Sequence, residues 1–425
     1  MSDACIPGRF PPVQKREIFG WCCFDFANSA FTTIIITVVY PVYFQQVVAG
    51  GHAHAESWLG RTLGLSQIVV LLLAPFVGAV ADVRARKKRF LMGTAITCSL
   101  ATMGLFWAGP GAVLIALLLL GLANVAFATS DNLCAAFLPE ISTSENVGRI
   151  SGYGWSFGYF GGLLSLVLAL VILRSGEGRA AWTFLMTGGF FVIMCLPTLL
   201  LLRERAQPRA LQPGQSYAGL AWGQLAQMRR DLPQHRTLLL FFCAMTVYLT
   251  GLMAVIGFAG LYASNVVGMT QEEIIQLFIV LQLAGVAGAF GFGFLQDRVG
   301  SKAALTGALV IWVAVCGWAA VCETKREFFL IGMMAGAAMG ALQSAGRAVV
   351  ATLTPPGRAG EFFGYWGFFG KLAGVMGPVM FGELVKGSGY RQAIMVTGGC
   401  FLVGLLMLLP LRLRRPVAPR PPAAG

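Results

Sequence analysis

The stretch Gly78-Ala-Val-Ala-Asp82-Val-Arg84-Ala-Arg86-Lys87 returns in altered form as Gly293-Phe-Leu-Gln-Asp297-Arg298-Val-Gly300-Ser-Lys302, 215 positions further along (82 to 297). Each copy lies between two long apolar runs. A short loop of glycine, aspartate and cations at corresponding points of two hydrophobic halves predicts a duplicated helical membrane protein. A second match agrees. Ser151-Gly-Tyr-Gly-Trp-Ser-Phe-Gly-Tyr-Phe-Gly-Gly162 aligns with Phe363-Gly-Tyr-Trp-Gly-Phe-Phe-Gly-Lys-Leu-Ala-Gly374, and Gly152, Tyr153, Phe157, Gly158 and Gly162 meet Gly364, Tyr365, Phe369, Gly370 and Gly374. Glycines at four-residue spacing (154, 158, 162 and 370, 374) predict flat helix faces for close packing.

Composition points the same way. A chain of 425 residues with 57% hydrophobic and 12% charged residues and a mean hydropathy of +0.73 cannot present a surface to water. Crossing about 30 Å of hydrocarbon takes roughly 20 helical residues. Runs that long are placed at 19–48, 60–81, 90–108, 112–138, 150–173, 181–202, 238–264, 274–296, 303–322, 328–353, 361–385 and 391–411. The expected fold is an all-α membrane protein of twelve spans in two six-helix halves, 19–202 and 238–411. A tail (1–18), a linker (203–237) and a second tail (412–425) flank them. Within the linker, Tyr217 to Arg230 has helical apolar spacing and a basic end, and reads equally as an interfacial helix or a solvated segment.

The net charge of +13 is spread along the chain, without the gathered basic face and stacking aromatics of a nucleic-acid binder. Lys and Arg outside the spans concentrate on the side of the N-terminus: Arg9, Lys15 and Arg16, the run from Arg84 to Arg89, and the linker. The positive-inside bias then predicts cytoplasmic termini. The polar, proline-containing start lacks a signal peptide, and span 1 is expected to act as its own insertion signal. Eight of the ten cysteines (22, 23, 98, 134, 195, 243, 316, 400) fall within spans, which speaks against a disulfide framework. No G-x-x-x-x-G-K-[ST] phosphate loop occurs. His52, His54 and His235 do not make a metal set. Nor is there a nucleophile, base and orienter pattern at membrane depth. A non-enzymatic protein without metal or cofactor is expected.

The loop Gly78-x-x-x-Asp82-x-Arg84-x-Arg86-Lys87 resembles the signature loop between spans 2 and 3 of the major facilitator superfamily, G-x-x-x-D-[RK]-x-G-[RK]-[RK], with Val83 and Ala85 as departures. The second copy keeps Asp297, Arg298, Gly300 and Lys302. A narrower resemblance rests on Asp25-Phe-Ala-Asn28-Ser29-Ala-Phe31 in span 1, Pro139-Glu140-Ile141 closing span 4 and Glu361-Phe-Phe-Gly364 opening span 11. These residues are similar to the vacuolar amino-acid effluxers of autophagy and their bacterial relatives. The resemblance implies two bundles rocking about a midplane site, with spans 1, 4, 7 and 10 lining a cavity. Gly78, Asp82, Arg86, Lys87, Gly293, Asp297, Arg298 and Gly300 are expected to form loops that latch one conformational state, their cations resting on the inner leaflet.

Ionised residues at mid-bilayer cost about 2.5–3.5 kcal/mol each, so their positions are informative. Span 1 carries Asp25, span 4 Asp131, span 10 Arg347 and span 11 Lys371. Asp25, Asn28, Ser29 and Thr32 form a polar stripe at i, i+3, i+4 and i+7. Asn124 and Asp131 share a face with Asn132 beside them, and Gln343, Ser344 and Arg347 do likewise. Two carboxylates on one half and two cations on the other suit a zwitterion. Asp25 reads equally as an interfacial residue, and Asp131 as a structural partner of Arg347 or Lys371. The expected function is a secondary transporter of a small polar or zwitterionic solute such as an amino acid, coupled to protons or sodium. It is read as a monomer in a bacterial inner membrane, touching lipid and no nucleic acid. Efflux of amphipathic or drug-like compounds, or a non-transporting receptor or lipid-handling protein on this fold, are the alternatives.

Overall fold

In the computed structural model, residues 13–52, 55–143, 145–176, 178–205, 223, 230, 235–269, 271–355 and 358–411 are described. Among them there is no strand. Fourteen α-helices follow one another: α1 Lys15–Ala30, α2 Tyr40–Tyr43, α3 Ala55–Arg84, α4 Lys87–Gly104, α5 Val113–Ala135, α6 Leu138–Ile141, α7 Val147–Arg174, α8 Trp182–Leu201, α9 Arg236–Asn265, α10 Gln271–Val299, α11 Ser301–Val321, α12 Lys325–Leu353, α13 Ala359–Ser388 and α14 Tyr390–Leu408. Eleven helical stretches are long and apolar enough to cross a membrane, and α3, with its apolar run Trp58–Leu73, makes the twelfth span. Large side chains such as Leu100, Leu114, Leu118, Val171 and Leu200 point outward. Water would penalise that arrangement and lipid does not. The interfacial-helix reading of 217–230 falls almost wholly outside the described residues.

Span 1 departs from the single α-helix expected over 19–48. Its α-helix starts earlier, at Lys15, and gives way to π-helical turns at Phe31–Val38 and again at Phe44–Val48. The cause is local. Thr32 to Val39 is an unbroken run of β-branched residues, which crowd an α-helical turn. Pro41 just beyond has no N–H to give. The Thr37 hydroxyl bridges the wider turn to the Thr32 carbonyl at 2.9 Å.

The helices gather into two halves, α1–α8 and α9–α14. Within the first, α1 packs on α7 and α8, α3 on α5, and α4 on α5 and α8. Within the second, α10 packs on α12, α9 on α13 and α14, and α11 on α12 and α14. The halves meet along two seams related by the internal repeat, α7 against α10 and α3 against α13, and α7 also touches α12. The end of the bundle where α1, α7, α11 and α13 begin is called the near face below.

Glycine sets how close the axes come. A Cβ at Gly161 would sit 1.9 Å from the Phe26 carbonyl oxygen of α1, one at Gly152 2.5 Å from that of Ala289, and one at Gly288 2.1 Å from that of Ala337. Backbone there lies on backbone. Gly370 and Gly374, expected to pack in the same manner, face open space instead. The repeat has kept the glycines on α13 without the close neighbour that their partners have on α7.

Gly161→Ala therefore forces α1 away from α7 and is expected to cost about 1–3 kcal/mol of stability, whereas Gly370→Ala costs nothing. Thermal melts of the two variants in detergent check this.

Candidate functional site

The polar heart of the molecule is built where α1, α7 and α12 converge. Starting at Lys15, α1 carries Asp25 about 15 Å up from the near face at a rise of 1.5 Å per residue. Arg347 reaches it from α12 in the other half. Its Nη2 donates to Asp25 Oδ2 at 2.9 Å, and both side chains are almost wholly buried. Arg347 also donates to the Ser151 carbonyl (3.2 Å) and, through Nε, to the Ser151 hydroxyl (3.4 Å), which in turn donates to the Ser344 carbonyl (2.8 Å). Its guanidinium lies between two indoles, 4.7 Å from the Trp21 ring and 5.3 Å from that of Trp155, a placement that favours a planar cation. Trp21 is fixed by its own N–H, donated to the Cys134 carbonyl at 2.8 Å.

Gly154 makes the cluster possible. A Cβ there would fall 2.5 Å from Asp25 Oδ2 and 2.7 Å from Arg347 Nη2. The pairing corrects two sequence expectations. Asp25, ten residues into α1, is buried and committed to Arg347 rather than standing open at a helix end. Arg347 takes Asp25 as its partner and does not take Asp131.

Asp131 on α5 and Lys371 on α13 form no ion pair among the described residues. Each is enclosed by neighbouring helices and only partly exposed. Asp131 lies within electrostatic reach of Lys371, Asp25 and Arg347. Asn132 brings α5 onto α13: a Cβ on Gly367, one turn before Lys371, would touch its amide at 2.3 Å. The four charges thus form one group drawn from four helices. Asn28, one turn from Asp25, is buried with its amide oxygen unpartnered, and Ser344 Oγ and Asn132 Nδ2 are unpartnered too.

Other residues of the expected site lie elsewhere. Asn124 donates to the Ser66 hydroxyl of α3 at 2.6 Å and serves packing within the first half. Ser29 Oγ turns back to the Asp25 carbonyl (2.9 Å) and Thr32 Oγ1 to the Ser29 carbonyl (3.0 Å). The π-helical turns rotate the stripe, so that Thr33, not Thr32, meets α7 at Gly162. Gln343 is half-buried and makes no hydrogen bond among the described residues.

At the near face the two loop motifs differ. Asp297, ending α10, accepts from the backbone N–H groups of Gly148 (2.9 Å) and Arg149 (3.2 Å) and from Arg149 Nε (2.8 Å). A carboxylate from one half thereby caps the first turn of α7 in the other, where the helix dipole favours it. Gly293 lets the backbones touch, since a Cβ there would lie 2.9 Å from the Gly148 carbonyl, and Gly300 caps α11 at a left-handed φ of +92°. Arg298 is exposed.

In the first copy Gly78 is buried, the side chain of Asp82 lies outside the described residues, and Arg86 precedes α4 at the surface. Ala85 adopts a left-handed φ of +46° where the superfamily pattern has glycine. Lys87, expected at the leaflet surface, is 1% exposed. It is drawn inward by an ion pair with Glu140, beside which Glu204 accepts from the backbone N–H groups of Lys87 and Lys88 and Arg205 grips Glu17 through both terminal nitrogens (3.0 and 3.1 Å). Burial raises the Glu204 carboxyl above the ordinary carboxylate range, against the lowering by those backbone hydrogen bonds.

Sequence reasoning did not reach Ser151, Trp21, Trp155, Arg149 or the Glu17–Arg205 clasp. The glycine-rich run around Gly154 reads as a packing face, and the charge cluster that it makes room for is not foreseen from it.

Two outcomes follow. Asp25→Asn or Arg347→Gln alone strands a buried charge and is expected to cost about 3–5 kcal/mol, and the double variant distinctly less than the sum, as a double-mutant cycle of melting curves will show. Ala85→Gly relieves the left-handed alanine and is expected to raise stability by about 1 kcal/mol, read by the same melts.

Comparison with known proteins places these features. Residues 47–417 match the model of the family described as vacuole effluxer Atg22 like. The chain is 24% identical to an uncharacterised transporter of the major facilitator type, YxiO, from Bacillus subtilis, over 91% of this chain and 93% of that one. It is also 24% identical to the multidrug resistance protein MdtG of an Escherichia coli strain, over 92% and 93% of the two chains. Among solved structures, the human organic anion transporter MFSD10 superposes with a TM-score of 0.75 at 16% identity, covering 94% of this chain and all of that one. With twelve spans, a repeated loop motif and charged residues shared between two halves, the chain belongs to the Atg22-like effluxer family of major facilitator transporters.

Proposed function

We propose that this transporter carries a small zwitterionic solute such as an amino acid by alternating access, coupled to an ion, with both termini in the cytoplasm of a bacterial inner membrane. One observation carries the reading. Of four charges gathered from four helices, Asp25 and Arg347 neutralise each other across the two halves, while Asp131 and Lys371 form no ion pair among the described residues. A zwitterion answers the second pair, its ammonium to Asp131 and its carboxylate to Lys371, and leaves no net charge in hydrocarbon.

The first pair then works as the switch. The Asp25–Arg347 bridge and the Asp297 cap both join the halves towards the near face, so the state described is closed there. Breaking that bridge leaves the near face free to part. Solute and ion act only through their different affinities for the two states. The contact of Asp297 with the start of α7 supports a conformational-latch role for the second loop motif.

A second reading, efflux of amphipathic compounds, is favoured by the indoles of Trp21 and Trp155 beside the charges and by the name of the multidrug relative. Counterflow of labelled amino acids in proteoliposomes, with and without protonophore, tests both. Flux that protonophore alters, that falls at least tenfold in Asp131→Asn and Lys371→Ala, and that lipophilic cations do not inhibit supports the zwitterion reading. Amino-acid flux at the parent rate in both variants overturns the site. Flux of lipophilic cations alone favours the second reading, and no flux of either class overturns transport.

A further inference from the structure

We infer that Trp155 and Tyr159 on α7 recognise the carboxylate of the solute through hydrogen bonds, and so set the preference for free acids over their amides. The inference rests on the zwitterion reading and goes beyond it by naming a recognition element that carries no charge.

The two residues are four apart and share a face of α7, with ring centroids 6.3 Å apart. Trp155 lies over the Arg347 guanidinium, beside the group of four charges, and is half-buried. Tyr159 stands one turn further on, its ring against Gly285 of α10 on the seam between the halves. Neither the indole N–H nor the phenol O–H has an acceptor, although both atoms are shut away from the surface.

That is not how this fold treats aromatic donors with a packing role. Trp21 donates to the Cys134 carbonyl at 2.8 Å, Tyr40 to that of Ala116 at 3.3 Å and Tyr262 to that of Ala319 at 2.6 Å. Trp312 is also without an acceptor, but it stacks on Phe401 inside the second half, away from the charges. A buried donor left unpaired bears its full desolvation penalty, and two in succession beside a guanidinium make a wall of hydrogen-bond donors. A carboxylate, with two anionic oxygens and several lone pairs, complements such a wall. An amide carbonyl offers one weaker acceptor and brings donors of its own. The orphan amide oxygen of Asn28 on α1 supplies the opposite polarity for an ammonium group. Since Tyr159 lies on the α7–α10 seam, movement of the halves uncovers its hydroxyl in step with the opening of the site.

The test compares the purified parent protein with Tyr159→Phe and Trp155→Phe by thermal shift, using L-alanine, L-leucine and L-glutamine and the amide of each. The parent is expected to be stabilised by at least one acid more than by its amide. Each variant should weaken the acid about tenfold and leave the amide unchanged, so that discrimination narrows by that factor to what Lys371 alone supplies. The unliganded melting temperature of Tyr159→Phe should not fall, because only an unsatisfied hydroxyl is lost. If acid-over-amide discrimination persists undiminished in Tyr159→Phe and in whichever Trp155 variant folds, the inference is overturned and the zwitterion reading stands. If acid and amide stabilise the parent equally, carboxylate recognition fails. If no acid or amide stabilises it, the zwitterion reading falls and takes this inference with it.

Discussion

A single guanidinium crossing from one half of the molecule to the other holds the centre of this protein in place. Arg347 leaves α12, passes between two indoles and meets Asp25 on α1 through one nitrogen and one oxygen. Removing two ions from water costs several kcal/mol each, and their attraction repays that only when geometry and further hydrogen bonds are good. Ser151 supplies those bonds, and Gly154 clears the space. The helix that provides both, α7, also packs on α1, α10 and α12. The glycine run that shapes α7 is therefore a condition of the electrostatics as much as of the packing.

The duplication, the number of spans and the identity of the four intramembrane charges were legible in the residues, because each follows from composition, repetition and the cost of charge in hydrocarbon. Partner choice was not. Asp131 and Asp25 look equivalent as lone carboxylates in a helix, and what distinguishes them is the depth at which α1 starts and the notch at Gly154, both products of assembly. The polar stripe on span 1 was drawn with α-helical spacing, and the β-branched run from Thr32 undoes that spacing. Lys87 reads as a surface cation from its neighbours Arg86 and Lys88. It is buried because Glu140, more than 50 positions away, waits beneath it. Tyrosine and tryptophan donors without acceptors leave no trace in sequence at all, since every aromatic in an apolar run looks alike.

The two loop motifs also show how a repeat diverges in physical terms. The second copy keeps glycine at position 300, where φ is +92°, while the first has alanine at 85 with φ also positive and carries its strain. The first copy is tied instead by buried acids and bases that bind the end of α8 to α1, α4 and α6. Strain and a salt-bridge clasp both fall in the first copy, while the second has a glycine at the turn and the Asp297 cap, so the halves are unequal although their chain paths are alike.

Where glycine lays main chain directly on main chain, as where Gly152 of α7 meets Ala289 of α10, no side chain stands between the two rods. Such a spot is a pivot: the axes can turn about it, while Arg149, Tyr153 and Tyr159 to either side, which lean on α10, must let go before the rods part.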